Sequence, residues 1–302
     1  MSENRMDAIR PKGSAPSASP PEELKAFAGE FDERFRVYLS SPGDVPLELA
    51  DAVRYSALGP GKRIRPYLVV RCCEVVGGRR EDAWPVAASV ECIHAFSLIH
   101  DDLPAMDDDD VRRGRPTSHK KFGEALAILA GDALVTLAFE ILADRVNDGE
   151  LASALVGALA HGGGWAGMIG GQAADVVSES RAPSVALARY IHERKTASLF
   201  EAACRMGALI GGGHADQSAC LCRYGHNLGR AFQIADDLLD EVSTTPTSGK
   251  SPGEEPRGGK QTFPRCVGTT ESEAAALEAA RAAGAELDMF GSAADDLRRL
   301  AE

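Results

Sequence analysis

The 302-residue chain contains no C-x-x-C pair. Its seven cysteines (Cys72, Cys73, Cys92, Cys204, Cys220, Cys222 and Cys266) are odd in number and sit mostly in apolar helical text. That usage points away from a disulfide framework and toward reduced thiols in a cytoplasm. Basic residues are also scarce: 33 Lys and Arg stand against 45 Asp and Glu, giving a net charge of -12 and no grip for a phosphate backbone, so nucleic acid is not expected as a partner. No uninterrupted apolar run approaches the roughly 20 residues of a bilayer span. The N-terminus, with Glu3, Arg5, Asp7 and Arg10, lacks a secretory core, so neither a membrane span nor an export signal is expected. Alternating strand patterns, solenoid repeats and a persuasive Ser-His-Asp or Cys-His constellation are absent as well.

What remains is helical text. The segments "EELKAFAGEFDERFRVYLSS", "LELADAVRYSAL", "YLVVRCCEVV", "EDAWPVAASVECIHAFSLIHD", "GEALAILAGDALVTLAFEILADRV", "SVALARYIHERKTASLFEAACRMGALI" and "DQSACLCRYGHNLGRAFQIADDLLDEV" repeat apolar residues at intervals of three and four. Glycine clusters at 59–61, 77–78, 162–164 and 211–213 fall between periodic segments as helix stops. A disordered leader is expected over residues 1–21, whose "PKGSAPSASPP" cannot bury enough apolar area to offset chain entropy. A single all-helical domain is expected over 22–302. The irregular stretch 243–261, "STTPTSGKSPGEEPRGGKQ", is long for a connector and reads as a functional flap.

Two acidic motifs interrupt this text. "HDDLPAMDDDDVRRGRP", 100–116, crowds six aspartates into ten residues, and such crowding destabilises a fold unless a cation neutralises it. Asp101 and Asp107 would diverge on an unbroken helix. Pro104 disfavours its continuation, and a curl there returns Asp107 to Asp101. In "GRAFQIADDLLDEV" the motif D-D-x-x-D places Asp236 and Asp240 on one helical face, with Gln233 beside them. An acidic run on its own is commonly a solvated surface. Here, however, Asp101 and Asp102 follow the apolar "AFSLI", and Asp236 and Asp237 follow "AFQIA", so both motifs begin where a buried face ends. Oxygen-only clusters suit a hard cation such as Mg2+, and two of them suit a metal-bridged anion such as a diphosphate.

Cations complement these motifs. "GPGKRIRP", 59–66, compresses Lys62, Arg63 and Arg65 into a turn that opens a helix, a setting suited to a phosphate without metal. Arg112 and Arg113 follow the first acidic cluster, Lys195 and Thr196 lie in "YIHERKTASLF", and Lys250 and Lys260 lie on the flap. His94 stands one heptad before Asp101 and shares its face; a lone histidine there is more often a satisfied core residue, but the neighbouring acidic site raises a functional role.

Taken in order, "GKRIRP", "ECIHAFSLIHDDLPAMDDDDVRRGRPTSH", "GGQAAD", "KTASL" and "GRAFQIADDLLD" followed by two Gly-Lys pairs resemble the trans-isoprenyl diphosphate synthases, or polyprenyl synthetases, over about residues 46–268. Bacterial farnesyl and geranylgeranyl diphosphate synthases are the most similar members. The resemblance implies an isoprenoid synthase-type bundle around a deep apolar cavity, usually a homodimer. It implies Mg2+ held by Asp101, Asp107 and Asp236, and an allylic diphosphate contacted by Arg112, Lys195, Gln233, Lys250 and Lys260. Isopentenyl diphosphate would rest on Lys62, Arg65, His94 and Arg113, and Thr196 and Gln233 would place oxygen dipoles near a developing cation. Asp101, Asp102, Asp107, Lys195, Thr196, Asp236 and Asp237 form the expected catalytic set.

The reaction implied is ionisation of the allylic diphosphate, attack by the isopentenyl double bond and loss of a proton. The family's pocket-floor position, five before the first aspartate, is Phe96, with Ser97 beside it. At about 1.5 Å of rise per residue, Phe96 stands roughly 7 Å below the metal site, which favours a C15 product over C20 or C10. A class I terpene cyclase would carry an Asn/Ser/Glu second motif and lack GKRxRP. A non-catalytic partner subunit would tend to have lost one aspartate motif.

Overall fold

The structure, a computed structural model, describes residues 22–40, 43–243 and 260–302. The expected leader, Lys250 and most of the expected flap lie outside the described residues. Seven helices lead to the middle of the chain: α1 (Glu22–Tyr38), α2 (Leu47–Ala57), α3 (Ile64–Val75), α4 (Arg80–Asp101), α5 (Ser118–Phe122), α6 (Glu124–Arg145) and α7 (Gly149–Gly163). Seven more follow: α8 (Met168–Ser178), α9 (Val185–Ile191), α10 (Ser198–Ile210), α11 (Ala215–Ser243), α12 (Phe263–Val267), α13 (Thr269–Ala285) and α14 (Asp295–Ala301). A short two-stranded hairpin, β1 (Val111–Arg112) and β2 (Arg115–Pro116), departs from the expectation of no strands. Arg113 and Gly114 form its two-residue turn with φ of 52° and 75°, the pair of positive φ values that a tight hairpin of matching twist requires.

α4 is apolar on nearly every side, with Val86, Ala87, Ala88, Val90 and Cys92 fully buried, as befits a helix surrounded by others. It packs against α2, α3, α6, α7 and α10. α6 is, contrary to expectation, long and apolar enough by composition to cross a membrane. In the bundle its Ala127, Ala130, Leu134, Ala138 and Leu142 are buried as α6 packs on α2, α4 and α7. The fit of α6 to α4 depends on Gly131: a Cβ there would stand 2.1 Å from the His100 ring.

The periodic text of 184–210 is expected as one helix. The structure divides it into α9, a π-helical turn over His192–Ala197, and α10. Such wide turns shift helical register and recur at functional sites. This one contains Lys195 and Thr196, and α8 approaches it so closely that a Cβ on Gly171 would meet the Lys195 amide nitrogen at 2.1 Å.

Candidate active site

One cavity of about 1450 Å³ runs into the bundle between α3, α4, α6, α8, the π-helical turn that follows α9, and α11. Asp101, Asp107, Asp236 and Asp240 all line it, so the two acidic motifs share one hollow. α4 ends at Asp101, where Pro104 stops its continuation, and the chain curls until the Asp107 backbone N-H donates to the Asp101 carbonyl at 2.9 Å. The curl expected from the sequence therefore forms. Burial drives the Asp101 carboxyl up to about 6, aided by Asp107, and raises Asp236 and Asp240, which also repel their own motif neighbours. A cation relieves both effects. Lys260 supplies one already, its ammonium 3.1 Å from Asp107 Oδ2. Carboxylates gathered on one cavity with no sulfur among them fit a hard divalent metal, although the ligand group with its atoms within 4.8 Å of one another among the described residues is Asp108, Asp110 and His119, beside this site. The three acid groups of the sequence expectation, Asp101, Asp107 and Asp236, are the residues that would hold it.

Asp102 and Asp237 do different work from these. Asp102 is buried outside the large cavity, and its Oδ1 accepts two 2.7 Å bonds from Arg112, through Nε and an Nη. It positions a cation and presents no open oxygen to the cavity. Asp237 borders the cavity with both oxygens engaged. Oδ1 accepts from Gln233 Nε2 at 3.0 Å, and Oδ2 accepts from His192 Nε2 and from the Phe263 backbone N-H, each at 3.0 Å. Gln233 in turn accepts a 2.6 Å bond from the Thr196 hydroxyl. This relay fixes the Gln233 amide and turns the remaining lone pairs of Thr196 Oγ1 away from it.

Lys195 Nζ lies 2.8 Å from Asp175 Oδ2, so a buried carboxylate on α8 aims the lysine. Asp175 was missed in the sequence, although "GGQAAD" contains it.

The second anion pocket lies against α3. Arg63, at φ 52°, occupies a strained backbone state that three side-chain bonds hold: to Asp32 at 2.8 Å, to Glu91 at 2.5 Å and to the Gly59 carbonyl at 2.7 Å. That anchor presents Lys62 and Arg65 to the cavity, which both line together with His94 and Arg113. Desolvation lowers Arg65 to about 10 and also lowers Arg113, the mark of guanidinium groups with too few counter-charges. Arg65 Nε has no partner, and the guanidinium lies 4.7 Å over the Phe200 ring. Since arginine only donates, His94 Nε2 accepts from it at 3.4 Å. Burial and four surrounding arginines keep that imidazole neutral, well below its ordinary value. Lys62, Arg65, His94 and Arg113 are thus grouped where an anion without metal would be held. Arg63 and Glu91 support them, and a charge amid the apolar "SVECIHAF" was the sequence signal for Glu91.

Phe96 and Ser97 line the cavity too, as do Ile128, Met168 and Ile169. The Phe96 ring meets His100 edge-on at 5.6 Å, and His100 Nε2 donates to the Ile128 carbonyl at 3.2 Å.

Residues 46–289 match the family model for polyprenyl synthetase. The chain belongs to the polyprenyl synthetase family. The matched region extends past the segment in which the motifs were recognised, into α13 and the turn after it. The chain is 43% identical over 288 residues to the farnesyl diphosphate synthase of Escherichia coli, covering 93% of this chain and 92% of that one. It is 41% identical over 299 residues to geranylgeranyl pyrophosphate synthase 12, chloroplastic, of Arabidopsis thaliana, covering 96% and 83%. A solved FPP/GFPP synthase from Zymomonas mobilis superposes with a TM-score of 0.83 at 40% identity, covering 93% of this chain and 96% of that one. This polyprenyl synthetase is a short-chain trans-prenyl diphosphate synthase with the all-α isoprenoid synthase fold, a prenyltransferase of isoprenoid biosynthesis that uses a divalent metal and isoprenoid diphosphate substrates.

Proposed function

We propose that the enzyme uses Mg2+ to condense isopentenyl diphosphate with dimethylallyl and then geranyl diphosphate, releasing farnesyl diphosphate. One observation carries this reading: two acidic walls and a separate cationic pocket open on the same cavity, whose apolar arm is bounded by Phe96. Bound at Asp101, Asp107 and Asp236, the metal would supply counter-charge to the departing diphosphate. Arg112, Lys195, Gln233 and Lys260 hold and orient that diphosphate, with Lys250, outside the described residues, as a further expected contact, and the Lys62, Arg65, His94 and Arg113 pocket holds isopentenyl diphosphate with its double bond toward the allylic carbon. The reacting groups are then paired between preorganised charges.

A homodimer is part of the proposal. Leu129 of α6 and Trp165, between α7 and α8, are large apolar side chains left exposed outside the cavity, and a second copy would cover them. A cytoplasmic setting is supported by the seven cysteines, all of them free thiols.

Incubation with labelled isopentenyl diphosphate and each allylic partner, followed by chromatography of the dephosphorylated alcohols, tests the reading. A C15 alcohol is expected. A C20 alcohol, the outcome named by the plant relatives, would overturn the chain length alone, and no elongated alcohol with any partner would overturn the reaction. Light scattering on the eluting peak tests the dimer.

A further inference from the structure

Among the described cavity-lining side chains, Gln172 is the one whose donor and acceptor are both buried without a partner. Buried amides are almost always paired, so this one calls for an explanation. Arg65, Glu91 and His192 also have an orphaned atom on the cavity wall, but each has another polar atom bonded.

The position of Gln172 on α8 says what its partner is. One turn toward the C-terminus, Asp175 holds the Lys195 ammonium, so that end of the helix faces the charged head of the cavity. One turn toward the N-terminus, Met168 and Ile169 line the apolar arm. Successive turns are about 5.4 Å apart, so Gln172 marks the border where an allylic chain joins its diphosphate. Close packing of Gly171 against the Lys195 backbone holds α8 at that border.

We propose that Gln172 is a catalytic residue whose side-chain carbonyl stabilises the positive charge on the allylic fragment. The inference rests on the allylic substrate occupying this cavity as proposed above. When the carbon-oxygen bond to the diphosphate breaks, both electrons leave with the oxygen, and the allylic carbons are left one electron pair short. The isopentenyl double bond then provides the two electrons of the new carbon-carbon bond, and a C-H bond beside the resulting cation gives its electrons to the product's double bond as the proton passes to the released diphosphate. Until that attack, a cation stands beside an amide that no protein group has claimed, and a carbonyl dipole is a neutral group able to stabilise it there without capturing it. The terminal torsion of glutamine is broad, and its oxygen and nitrogen exchange places by a half turn, so an incoming cation selects the oxygen. A carboxylate in this place would stabilise the cation further but would repel the substrate's diphosphate.

The test uses two allylic diphosphate analogues of the same shape, one with an ammonium nitrogen at the branched allylic carbon and the other with a neutral carbon there. Binding of both is measured by calorimetry with Mg2+ present, on the wild type, Gln172→Met and Gln172→Glu. The wild type should prefer the ammonium analogue. In Gln172→Met that preference should fall by about tenfold or more while affinity for the neutral analogue stays within about twofold, and kcat should fall with little change in the allylic KM. Gln172→Glu should strengthen the preference. Retained binding of the neutral analogue reports an intact fold, which separates a lost carbonyl from a damaged protein. An unchanged ratio in Gln172→Met, equal weakening of both analogues, or no preference in the wild type overturns the role of Gln172 and leaves the reaction standing. Failure of the wild type to bind either analogue overturns the placement of the substrate, and the role of Gln172 falls with it.

Discussion

Lys260 reaches Asp107 across 3.1 Å and a sequence separation of 153 residues, joining the segment that returns after residue 259 to the first acidic wall. Burial weakens the charge on this lysine, but Asp107, Asp175 and Asp101 together raise its affinity for a proton above the ordinary value. The lysine is therefore a positive charge beside the carboxylates, one that an arriving diphosphate would share with them under the proposed function. Replacing it by alanine should raise the KM for the allylic substrate by about tenfold, the scale of one charge-assisted contact, and leave the KM for isopentenyl diphosphate unchanged. Steady-state kinetics with each substrate varied in turn decides it. Asp101→Ala and Asp236→Ala should each lower kcat by at least about a hundredfold, because they remove counter-charge used as the diphosphate departs.

The raised carboxyl groups make metal binding and stability depend on pH together. Asp101 titrates at about 6 in the fold against an ordinary 3.8, and Asp236 and Asp240 shift the same way, so the folded protein holds these protons more tightly than the unfolded chain does. Their stabilising contribution is complete below the unfolded value and disappears as pH rises through the folded one. The metal-free enzyme should lose thermal stability from these groups between about pH 4 and about pH 6, and a divalent cation should restore it once they are ionised. Thermal denaturation in Mg2+ and in a chelator should show a larger metal-induced rise in Tm at about pH 7.5 than at about pH 5. Equal rises at the two values would mean that these carboxylates do not hold the ion.

Arg63 and Glu91 are buried to within 3% and 4% side-chain exposure, deep enough for their pairing to matter. Arg63→Ala removes the guanidinium and leaves Glu91 uncompensated against the α4 core, at a cost of about 3–5 kcal/mol. Arg63→Met together with Glu91→Leu should cost less, because Glu91 is no longer stranded in the core, while half-buried Asp32 loses its partner and Arg65 and Arg113 lose a counter-charge. Urea denaturation of the single and double variants measures the difference. Both variants should show a raised KM for isopentenyl diphosphate, since the strained turn that presents Lys62 and Arg65 loses its anchor.

Much of this site was legible because its chemistry is concentrated in short motifs. Pro104 announces the curl that returns Asp107 to Asp101, and an interval of four places Asp236 and Asp240 on one face whatever surrounds them. The division of work among the aspartates was not legible. Asp102 and Asp237 carry the same side chain as their neighbours, and only the positions of Arg112, His192 and the Phe263 amide show that their oxygens are already taken. The π turn at His192–Ala197 escaped for a similar reason, since one extra residue in a helical turn barely disturbs apolar periodicity. α8 and the helices after residue 262 are rich in alanine, glycine and acidic residues, so their apolar stripes are faint; burial against the rest of the bundle gives them their place.

The proposed product length depends on how Phe96 is held. The ring is almost fully buried and braced edge-on by His100, which is itself pinned by the Ile128 carbonyl and seated in the notch left by Gly131. Phe96→Ala removes the floor and should shift the alcohols recovered after dephosphorylation from C15 toward C20 and longer. Its cost in stability, about 3–5 kcal/mol, is that of a phenyl-sized void. Gly131→Ala acts from behind. Its new methyl group would lie 2.1 Å from the imidazole, so His100 must yield or α6 must withdraw from α4. Either movement unseats the brace without touching Phe96, and the products should broaden to a mixture of lengths. If chromatography shows a single unchanged C15 product from Gly131→Ala in a folded enzyme, His100 does not brace the floor, and the chain length is set by Phe96 alone.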